Sequence, residues 1–227
     1  MIYGWHSALA AITNPRRRLE RILATANAAK RLAEHGIPNL PEPVDPREID
    51  RLAGPGAVHQ GIAVLCAPLP DLDLADLEAA WLLLVLDQIT DPQNVGAILR
   101  SAAAFGCEGL VLTERHGPAE TGVLAKAASG GLEYVPLVRV KNLARAMDEI
   151  GRMEFTRLGL DSEHAEPLDA IRLEGKTALV LGAEGKGMRR LTRDKCDRLV
   201  RLDVPGPIKS LNVSNAAALA LYAVTRG

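Results

Sequence analysis

The apolar positions of this chain form short continuous runs separated by helical patterns, and this alternation predicts an α/β fold. The clearest run, Trp81–Leu86, is typical of a strand that is buried on both faces of a parallel sheet. Further strands are predicted at Gly109–Thr113, Tyr134–Val140, Phe155–Leu160 and Thr177–Leu181. Helical patterns occupy the intervals at Val95–Phe105, Ala119–Ser129, Asn142–Ile150, Met188–Lys195 and Leu211–Thr225. We therefore predict a mostly parallel sheet with helices on both faces.

The preceding part of the chain predicts a smaller α/β unit with its own helices and one clear strand. The helices are expected at Gly4–Ile12, Ala24–His35 and Asp45–Leu52, and the strand at Ile62–Cys66. Alternation between Arg17 and Leu23 could also be an edge strand. The short, acidic, proline-containing stretch that follows reads as a linker. We place an N-terminal domain at residues 1–70, the linker at 71–80 and a second domain at 81–227.

The composition of the chain excludes some classes of protein but does not identify its function. Of the 227 residues, 48% are hydrophobic and only 3% aromatic, so the core must be aliphatic. The net charge of −1 argues against a wholly basic nucleic-acid coat but leaves room for a local basic face. The three cysteines are far apart, which fits neither a disulfide framework nor a zinc site and suits a reducing cytoplasm. No apolar run reaches the length of a membrane span.

The first candidate binding segment, Asp91–Arg100, follows the buried strand at 81–86. Ligands bind at the carboxyl ends of strands in sheets of this kind. Arg100 is the informative residue, because the helix around it is otherwise almost wholly apolar. It could form a structural ion pair, or it could reach into a site as an anion clamp. Asn94 could bind a ligand or simply cap the helix.

The second segment is the glycine-rich loop within Val180–Met188, between a predicted strand and a helix. Its glycine order is neither G-x-G-x-x-G nor that of a nucleotide-hydrolysing P-loop. Glu184 lies inside the loop, and a carboxylate repels phosphate. The loop therefore favours a ligand with hydroxyl or cationic groups, or a role for Glu184 in holding a neighbouring cation.

The third segment, Val204–Asn215, joins a rigid Pro/Gly turn to a row of small polar side chains before an apolar helix. Pro205 fixes its φ angle, and Ser210 and Asn212 lie at the mouth of the helix, where free N–H groups favour polar or anionic partners. Alone, this is equally a turn followed by an N-cap. Three such loops in one parallel sheet make a shared pocket the better interpretation.

The densest basic cluster of the chain lies in the N-terminal part. It consists of Arg16, Arg17, Arg18 and Arg21, with only Glu20 opposing them. Such a run is usually a solvated face. The functional alternative is a patch that contacts phosphates.

The order of these segments resembles the three motifs of the SpoU (TrmH-type) RNA 2′-O-ribose methyltransferases. The motifs correspond to Asp91–Arg100, Leu181–Met188 and Ser210–Ser214, and Lys126–Pro136 also fits the family. The N-terminal part, with Gly4–Ala8 and Val58–Gly61, is similar to the substrate-binding domain of bacterial 23S rRNA guanosine methyltransferases in this family. The resemblance implies a deep C-terminal trefoil knot, S-adenosylmethionine as cofactor, and a homodimer with its active site at the subunit interface.

The resemblance also assigns roles to individual residues. The family's catalytic motif residues fall on Asn94, Arg100, Glu184, Ser210 and Asn212. Cofactor contacts fall on Leu181, Gly182, Gly185, Leu202, Pro205 and Leu211. The RNA-binding role falls on Arg16, Arg17, Arg18 and Arg21, and no metal is implied. One departure is Leu202-Asp203, where the family usually has an aliphatic residue followed by proline.

The expected function is S-adenosylmethionine-dependent 2′-O-methylation of RNA, with a guanosine of 23S rRNA as the favoured target. The resemblance implies that Arg100 is the base, but arginine side chains have a pKa above about 12, which favours electrostatic stabilisation of the developing alkoxide or binding of the adjacent phosphate. A tRNA substrate, or a non-catalytic RNA-binding or assembly protein, are the alternatives. A Rossmann-type small-molecule enzyme is disfavoured by the glycine order.

Overall fold

The N-terminal part of the molecule forms a small antiparallel sheet with three helices. The fold comes from a computed structural model that describes residues 1–115, 117–162, 166–208 and 210–226. The strands β1 (Ile2–Tyr3), β2 (Leu19–Ala24) and β3 (Ile62–Cys66) pair in the order β1-β3-β2. The helices are α1 (Trp5–Thr13), α2 (Ala26–Glu34) and α3 (Pro46–Ala53).

The larger part is built on a seven-stranded sheet in which every strand pair is parallel. Its strands are β4 (Leu82–Asp87), β5 (Gly109–Thr113), β6 (Leu137–Val140), β7 (Thr156–Leu160), β8 (Glu166–Pro167), β9 (Thr177–Gly182) and β10 (Arg198–Arg201), in the order β6-β5-β4-β9-β7-β10-β8. Its helices are α4 (Pro92–Ala104), α5 (Gly122–Ala128), α6 (Leu143–Arg152), α7 (Arg190–Arg193) and α8 (Val213–Val224). The α/β class predicted from the sequence is confirmed.

Burial explains why the central elements form where they do. Every residue of β4 is buried, as expected for an inner parallel strand covered on both faces. Asp91 caps α4 by accepting hydrogen bonds from the backbone of Gln93 and Asn94, and Pro92 occupies the first helical turn. Asp91, and not Asn94, is therefore the N-cap. Gly96 lets α4 approach α5, because a Cβ there would lie 2.6 Å from the carbonyl oxygen of Leu124.

Most predicted elements are present, with bounds shifted by a few residues, and two predictions need correction. The helix expected at 188–195 is shortened to α7, and the strands β1, β8 and β10 have no counterpart among the predicted elements. The stretch expected to be a linker contains a buried 3₁₀ turn at Leu74–Leu77. The division into domains at 70–80 and the C-terminal knot remain predictions. Among the described residues, no helix has the length and apolar character needed to cross a membrane.

A buried ion pair joins the two parts of the molecule. The Arg17 guanidinium donates hydrogen bonds to both carboxylate oxygens of Glu133, at 3.2 and 2.6 Å, and to the carbonyl oxygen of Ala67. The side chains of Arg17 and Glu133 are only 2% and 3% exposed. Asn14 donates a further hydrogen bond of 2.7 Å to Glu133. This corrects the expectation for Arg17, because a buried guanidinium already held by a carboxylate is not available to an RNA phosphate.

Candidate active site

A cavity of about 400 Å³ opens at the carboxyl ends of three neighbouring strands, β7, β9 and β10. This is the edge of the sheet at which parallel α/β folds bind ligands. The wall combines aliphatic side chains with the backbone of two loops. It is formed by Leu160, Asp161, Ser162, Leu181, Gly182, Ala183, Glu184, Gly185, Lys186, Gly187, Met188, Arg193, Arg201, Leu202, Val204, Ser210, Leu211, Val213 and Ala216.

The glycine-rich loop after β9 folds back on itself to form one side of the cavity. Gly187 donates a backbone hydrogen bond of 2.8 Å to the carbonyl oxygen of Ala183. Gly185 and Gly187 have φ angles of +77° and +66°, which side chains rarely tolerate. A Cβ at Gly182 would overlap with the backbone of Gly187 and Met188. The glycines are therefore required by the tight turn itself.

Asp87, the last residue of β4, ties down the end of this loop. It is completely buried and accepts hydrogen bonds from the backbone N–H of Arg189 at 2.8 Å and from its Nε at 2.7 Å. Because β4 and β9 are adjacent in the sheet, this contact fixes the exit of the loop relative to both strands. No pattern in the linear sequence indicates this role for Asp87.

Two of the motif residues meet across the helices α4 and α8. The Asn212 amide donates a hydrogen bond of 3.0 Å to the side-chain oxygen of Asn94. Asn212 also caps α8, since its side-chain oxygen accepts from the backbone N–H and the hydroxyl of Ser214 at 2.9 and 2.6 Å. The first and third motifs are therefore joined directly.

The structure brings most of the predicted site residues together, but not all of them. Those in the cavity wall are Leu181, Gly182, Glu184, Gly185, Leu202, Ser210 and Leu211. Pro205, Asn94 and Asn212 lie outside the wall, although Asn212 follows two wall residues. Arg100 is exposed on α4 and does not line the cavity. Within the described part of the chain its guanidinium forms neither a hydrogen bond nor an ion pair, so the structural ion pair considered for it is not present.

Several wall residues were missed by sequence reasoning. Leu160 and Asp161 stand at the carboxyl end of β7, and Asp161 pairs with Arg193 at 3.1 Å. Their position at the end of a predicted parallel strand could have indicated that they line a ligand site. Asp203, which departs from the family pattern, accepts a hydrogen bond of 2.8 Å from Nε of Arg201. It is therefore integrated into the start of the third-motif loop.

The cysteines are poorly suited to act as nucleophiles. Burial raises the pKa of the Cys107 thiol to about 11 and that of the Cys196 thiol to about 12. Both therefore remain protonated at neutral pH, whereas the nucleophile is the thiolate. Among the described residues there is also no cluster of three or more side chains able to hold a metal ion.

Comparison with known proteins places these features in a family. Residues 81–222 match the family model of the SpoU rRNA Methylase family, and residues 1–72 match that of the RNA 2′-O ribose methyltransferase substrate binding domain. A 23S rRNA (guanosine-2′-O-)-methyltransferase RlmB from Pasteurella multocida (strain Pm70) is 38% identical, over 99% of this chain and 97% of its own. The RlmB of Haemophilus ducreyi (strain 35000HP / ATCC 700724) is 37% identical, over 99% and 96%.

A solved structure shows the same fold. The SpoU methyltransferase AviRb from Streptomyces viridochromogenes, crystallised with the cofactor AdoMet, superposes with a TM-score of 0.82 at 23% identity, over 99% of this chain and 88% of its own. The match of the first family model covers the large sheet and the loops that form the cavity. With the relatives that match almost from end to end, it shows that the chain belongs to the SpoU rRNA methylase family.

Proposed function

We propose that this protein transfers a methyl group from S-adenosylmethionine to the 2′-hydroxyl of a guanosine in 23S rRNA. The observation that carries the proposal is the convergence of the three motif loops at one edge of the sheet. The second and third motifs line one cavity, and the first motif is bound to the third through Asn94 and Asn212. The names of the RlmB relatives support rRNA, and a guanosine in it, as the substrate.

The cavity is suited to S-adenosylmethionine in size and chemistry. Its volume of about 400 Å³ falls in the usual range for small-ligand sites. Aliphatic side chains such as Leu160, Leu202 and Leu211 provide apolar surface for an adenine ring, and the loop backbones offer hydrogen-bonding groups. Glu184 suits a ligand that carries hydroxyl groups and a positive charge. When bound, the cofactor supplies an electrophilic methyl group on a positively charged sulfur atom.

The polar residues around the cavity would position the ribose and stabilise charge on it. Ser210, in the cavity wall, and the Asn94–Asn212 pair hold amide and hydroxyl groups at the mouth of α8. Arg100 has no competing partner among the described residues, so its guanidinium is free to bind an RNA phosphate or a developing alkoxide. Orientation and electrostatic stabilisation are the two main contributions expected of the protein.

A second copy of the chain would complete the site. Arg100 projects from α4 outside the cavity of its own chain, so within one chain this arginine and the residues proposed to bind the cofactor are separate. The neighbouring helix α8 exposes Leu219 and Tyr222 by 49% and 47%, and Tyr222 contacts Phe105 edge to face. Such apolar exposure beside a functional residue is typical of an interface. We therefore infer a homodimer that uses the face formed by α4 and α8.

The exposed part of the basic cluster would bind RNA phosphates. Arg16 and Arg18 are exposed, and Arg21 is exposed although it pairs with Glu48 at 2.8 Å. Such contacts position the RNA without reading its sequence. The cytoplasmic location predicted from the cysteines remains a prediction.

The deciding experiment is methyl transfer from radiolabelled S-adenosylmethionine to undermodified total RNA, followed by mapping of the labelled ribose. Label at a guanosine of 23S rRNA is the expected result. Label in tRNA would support the proposed methyl transfer to RNA but refute 23S rRNA as the substrate. Absence of both label and cofactor binding would favour a non-catalytic RNA-binding protein.

A further inference from the structure

Tyr134 is the most exposed aromatic side chain in the described part of the chain. Its residue surface is 69% exposed, compared with 43% for Trp81 and 47% for Tyr222. Tyr222 contacts Phe105 and Arg226, whereas no ring or cation contact is found for Tyr134 among the described residues. In a chain with only 3% aromatic residues, a tyrosine with most of its surface exposed is an unusual feature.

The backbone that carries Tyr134 is held firmly on two sides. Gly130 has a φ angle of +99°, and a Cβ there would lie 3.1 Å from the Cβ of Ala10 in α1. A Cβ at Gly131 would lie 2.6 Å from the carbonyl oxygen of Leu99 in α4. Gly131–Glu133 forms a 3₁₀ turn, and the Tyr134 N–H donates a hydrogen bond of 3.1 Å to the carbonyl oxygen of Gly131. The exposed ring therefore projects from a turn whose backbone packs closely against α1 and α4.

The same turn lies between the basic cluster and Arg100. Glu133, directly before Tyr134, binds Arg17 and Asn14, and the Asn14 side-chain oxygen accepts a hydrogen bond of 3.0 Å from the backbone N–H of Arg16. On the other side, the Cβ position of Gly131 is 3.1 Å from the backbone nitrogen of Arg100. The turn that carries the exposed ring is therefore in contact with both the segment of the basic cluster and the helix of the proposed catalytic arginine.

We propose that Tyr134 is a stacking platform for a nucleobase of the RNA substrate, outside the cofactor cavity. This inference rests on the proposed function. Single-stranded RNA is recognised by aromatic rings on which splayed bases stack, with arginines nearby to bind the backbone. A tyrosine side chain has only two torsion angles, so it loses little conformational freedom when a base stacks on it, which favours binding. Arg16 and Arg18 are exposed cations in the segment that Asn14 and Arg17 tie to Glu133, and this charge favours RNA over another apolar surface as the partner.

The test is filter binding of radiolabelled, in vitro transcribed 23S rRNA by the full-length chain over a range of salt concentrations. For Tyr134→Ala we expect Kd to rise roughly five- to 150-fold, which corresponds to the loss of one base–aromatic stack. The slope of log K against log salt should not change, because the substitution leaves every phosphate-binding cation in place. A double variant, Arg16→Gln with Arg18→Gln, should instead flatten that slope by about 0.7 for each phosphate that is no longer neutralised.

Matched variants distinguish base stacking from hydrogen bonding by the hydroxyl and from a general weakening of RNA binding. Tyr134→Phe keeps the ring and should bind RNA as the wild type does; binding as weak as that of Tyr134→Ala would overturn stacking in favour of a hydrogen bond from the hydroxyl. Trp81→Ala removes another exposed ring, which precedes β4 and lies outside the turn that carries Tyr134, and should leave RNA binding unchanged. A loss of RNA binding in Trp81→Ala as large as in Tyr134→Ala would show a general effect and overturn the proposal.

Two further readouts distinguish failure of this inference from failure of the proposed function. Unchanged RNA affinity in Tyr134→Ala, with a wild-type protein that methylates rRNA, would refute the platform alone. A change in molar mass of the variant by light scattering would place Tyr134 in a protein interface and also refute it. A wild-type protein that neither binds nor methylates rRNA would refute the proposed function together with the platform. Calorimetric titration with S-adenosylmethionine should give the same affinity for the variant as for the wild type.

Discussion

Arg100 is the residue whose proposed role is most directly testable, since it lies outside the cofactor cavity and is exposed. For Arg100→Ala we expect methyl transfer to fall by roughly 100- to 1000-fold, the usual cost of removing one donor that stabilises transition-state charge. Because Arg100 does not line the cavity, calorimetric affinity for S-adenosylmethionine should be unchanged. Loss of cofactor binding would show instead that Arg100 builds the pocket.

A second variant at this position distinguishes charge from geometry. Arg100→Lys keeps the positive charge but loses the planar fork that binds an oxyanion with two parallel hydrogen bonds. Partial recovery of turnover is therefore expected. Activity at the level of Arg100→Ala would mean that the bidentate geometry is essential.

For individual residues, the sequence indicated which residue types mattered but not which of them were exposed. Arg17 stands in the same basic run as Arg16 and Arg18, and only the structure shows that it is paired with Glu133. The partner lies far along the chain, so no local pattern could reveal the pair. Conversely, the sequence left open whether Arg100 forms a structural ion pair or reaches into the site, and the structure shows it exposed on α4.

Among the elements, the loop after β9 depends on Gly182 for the close approach of its two ends. We expect Gly182→Ala to weaken binding of S-adenosylmethionine by at least roughly tenfold, because the new Cβ would overlap with the backbone of Gly187 and force the loop open. Calorimetry measures the affinity, and thermal unfolding reports the change in stability. Gly206→Ala is the steric control, since a Cβ there meets nothing within 4 Å and should leave the melting temperature unchanged. Wild-type cofactor affinity in Gly182→Ala would contradict this role of the glycine in the loop.

The pairing of β7 with β10 is reinforced by a salt bridge that should make stability depend on pH. Arg157 donates three hydrogen bonds to Asp197, from its backbone N–H, Nε and Nη2, at 2.8, 2.9 and 2.5 Å. These hydrogen bonds lower the pKa of Asp197 below its ordinary value. A depressed pKa adds stability above the unfolded-state pKa of about 4, and that stability is lost as the pH falls through the folded-state value.

Asp197→Asn should therefore lower the free energy of unfolding at pH 7 by about 1 kcal/mol or less, since the pair is partly exposed to solvent. Urea unfolding measured from pH 7 down to pH 3 should show the difference from the wild type shrinking below about pH 4. A difference that stays constant over this range would mean that the carboxylate charge is not responsible.

Strong periodicity made most elements predictable, and weak periodicity explains the ones that were missed. The strand β4 was recognised because an apolar run of its length is typical of an inner parallel strand. The strand β10 has arginines at both ends, Arg198 and Arg201, and only Val200 is fully buried, so it lacks that signal. Its position in the sheet is set by pairing with β7, which is a tertiary effect.

For the whole molecule, the sequence predicted the sheet and the three motif loops, but not their arrangement around the site. Asp87 and Asp161 acquire their roles only because neighbouring strands bring the ends of distant segments together. The separation of Arg100 from the cavity likewise has no counterpart in the linear sequence. This separation raises the question of which subunit of the proposed dimer uses which arginine.

Mixing two variants that are each expected to have impaired methyl transfer answers that question. One variant carries Arg100→Ala, and the other carries Ser210→Ala, which alters the cavity wall. If Arg100 serves the cavity of the partner, a mixed dimer contains one site with both substitutions and one intact site, so methyl transfer should reappear on mixing. If Arg100 serves its own chain, each site of the mixed dimer carries one substitution and the mixture stays inactive. We expect recovery, because Arg100 does not line the cavity of its own chain.

The interpretation depends on subunit exchange, which must be measured in the same samples. Purifying mixed dimers with two different affinity tags, and confirming their mass by light scattering, establishes that both chains are present. The matched control is a mixed dimer in which one chain carries both substitutions and the other is wild type. If Arg100 acts within the partner's site, each site of this dimer lacks one group, and the dimer should be inactive. If Arg100 acts within the site of its own chain, the wild-type chain keeps an intact site, and the dimer should be half-active. Whichever subunit Arg100 serves, one of the two mixed dimers should therefore be active and the other inactive. A protein that is monomeric and fully active would refute the proposed dimer.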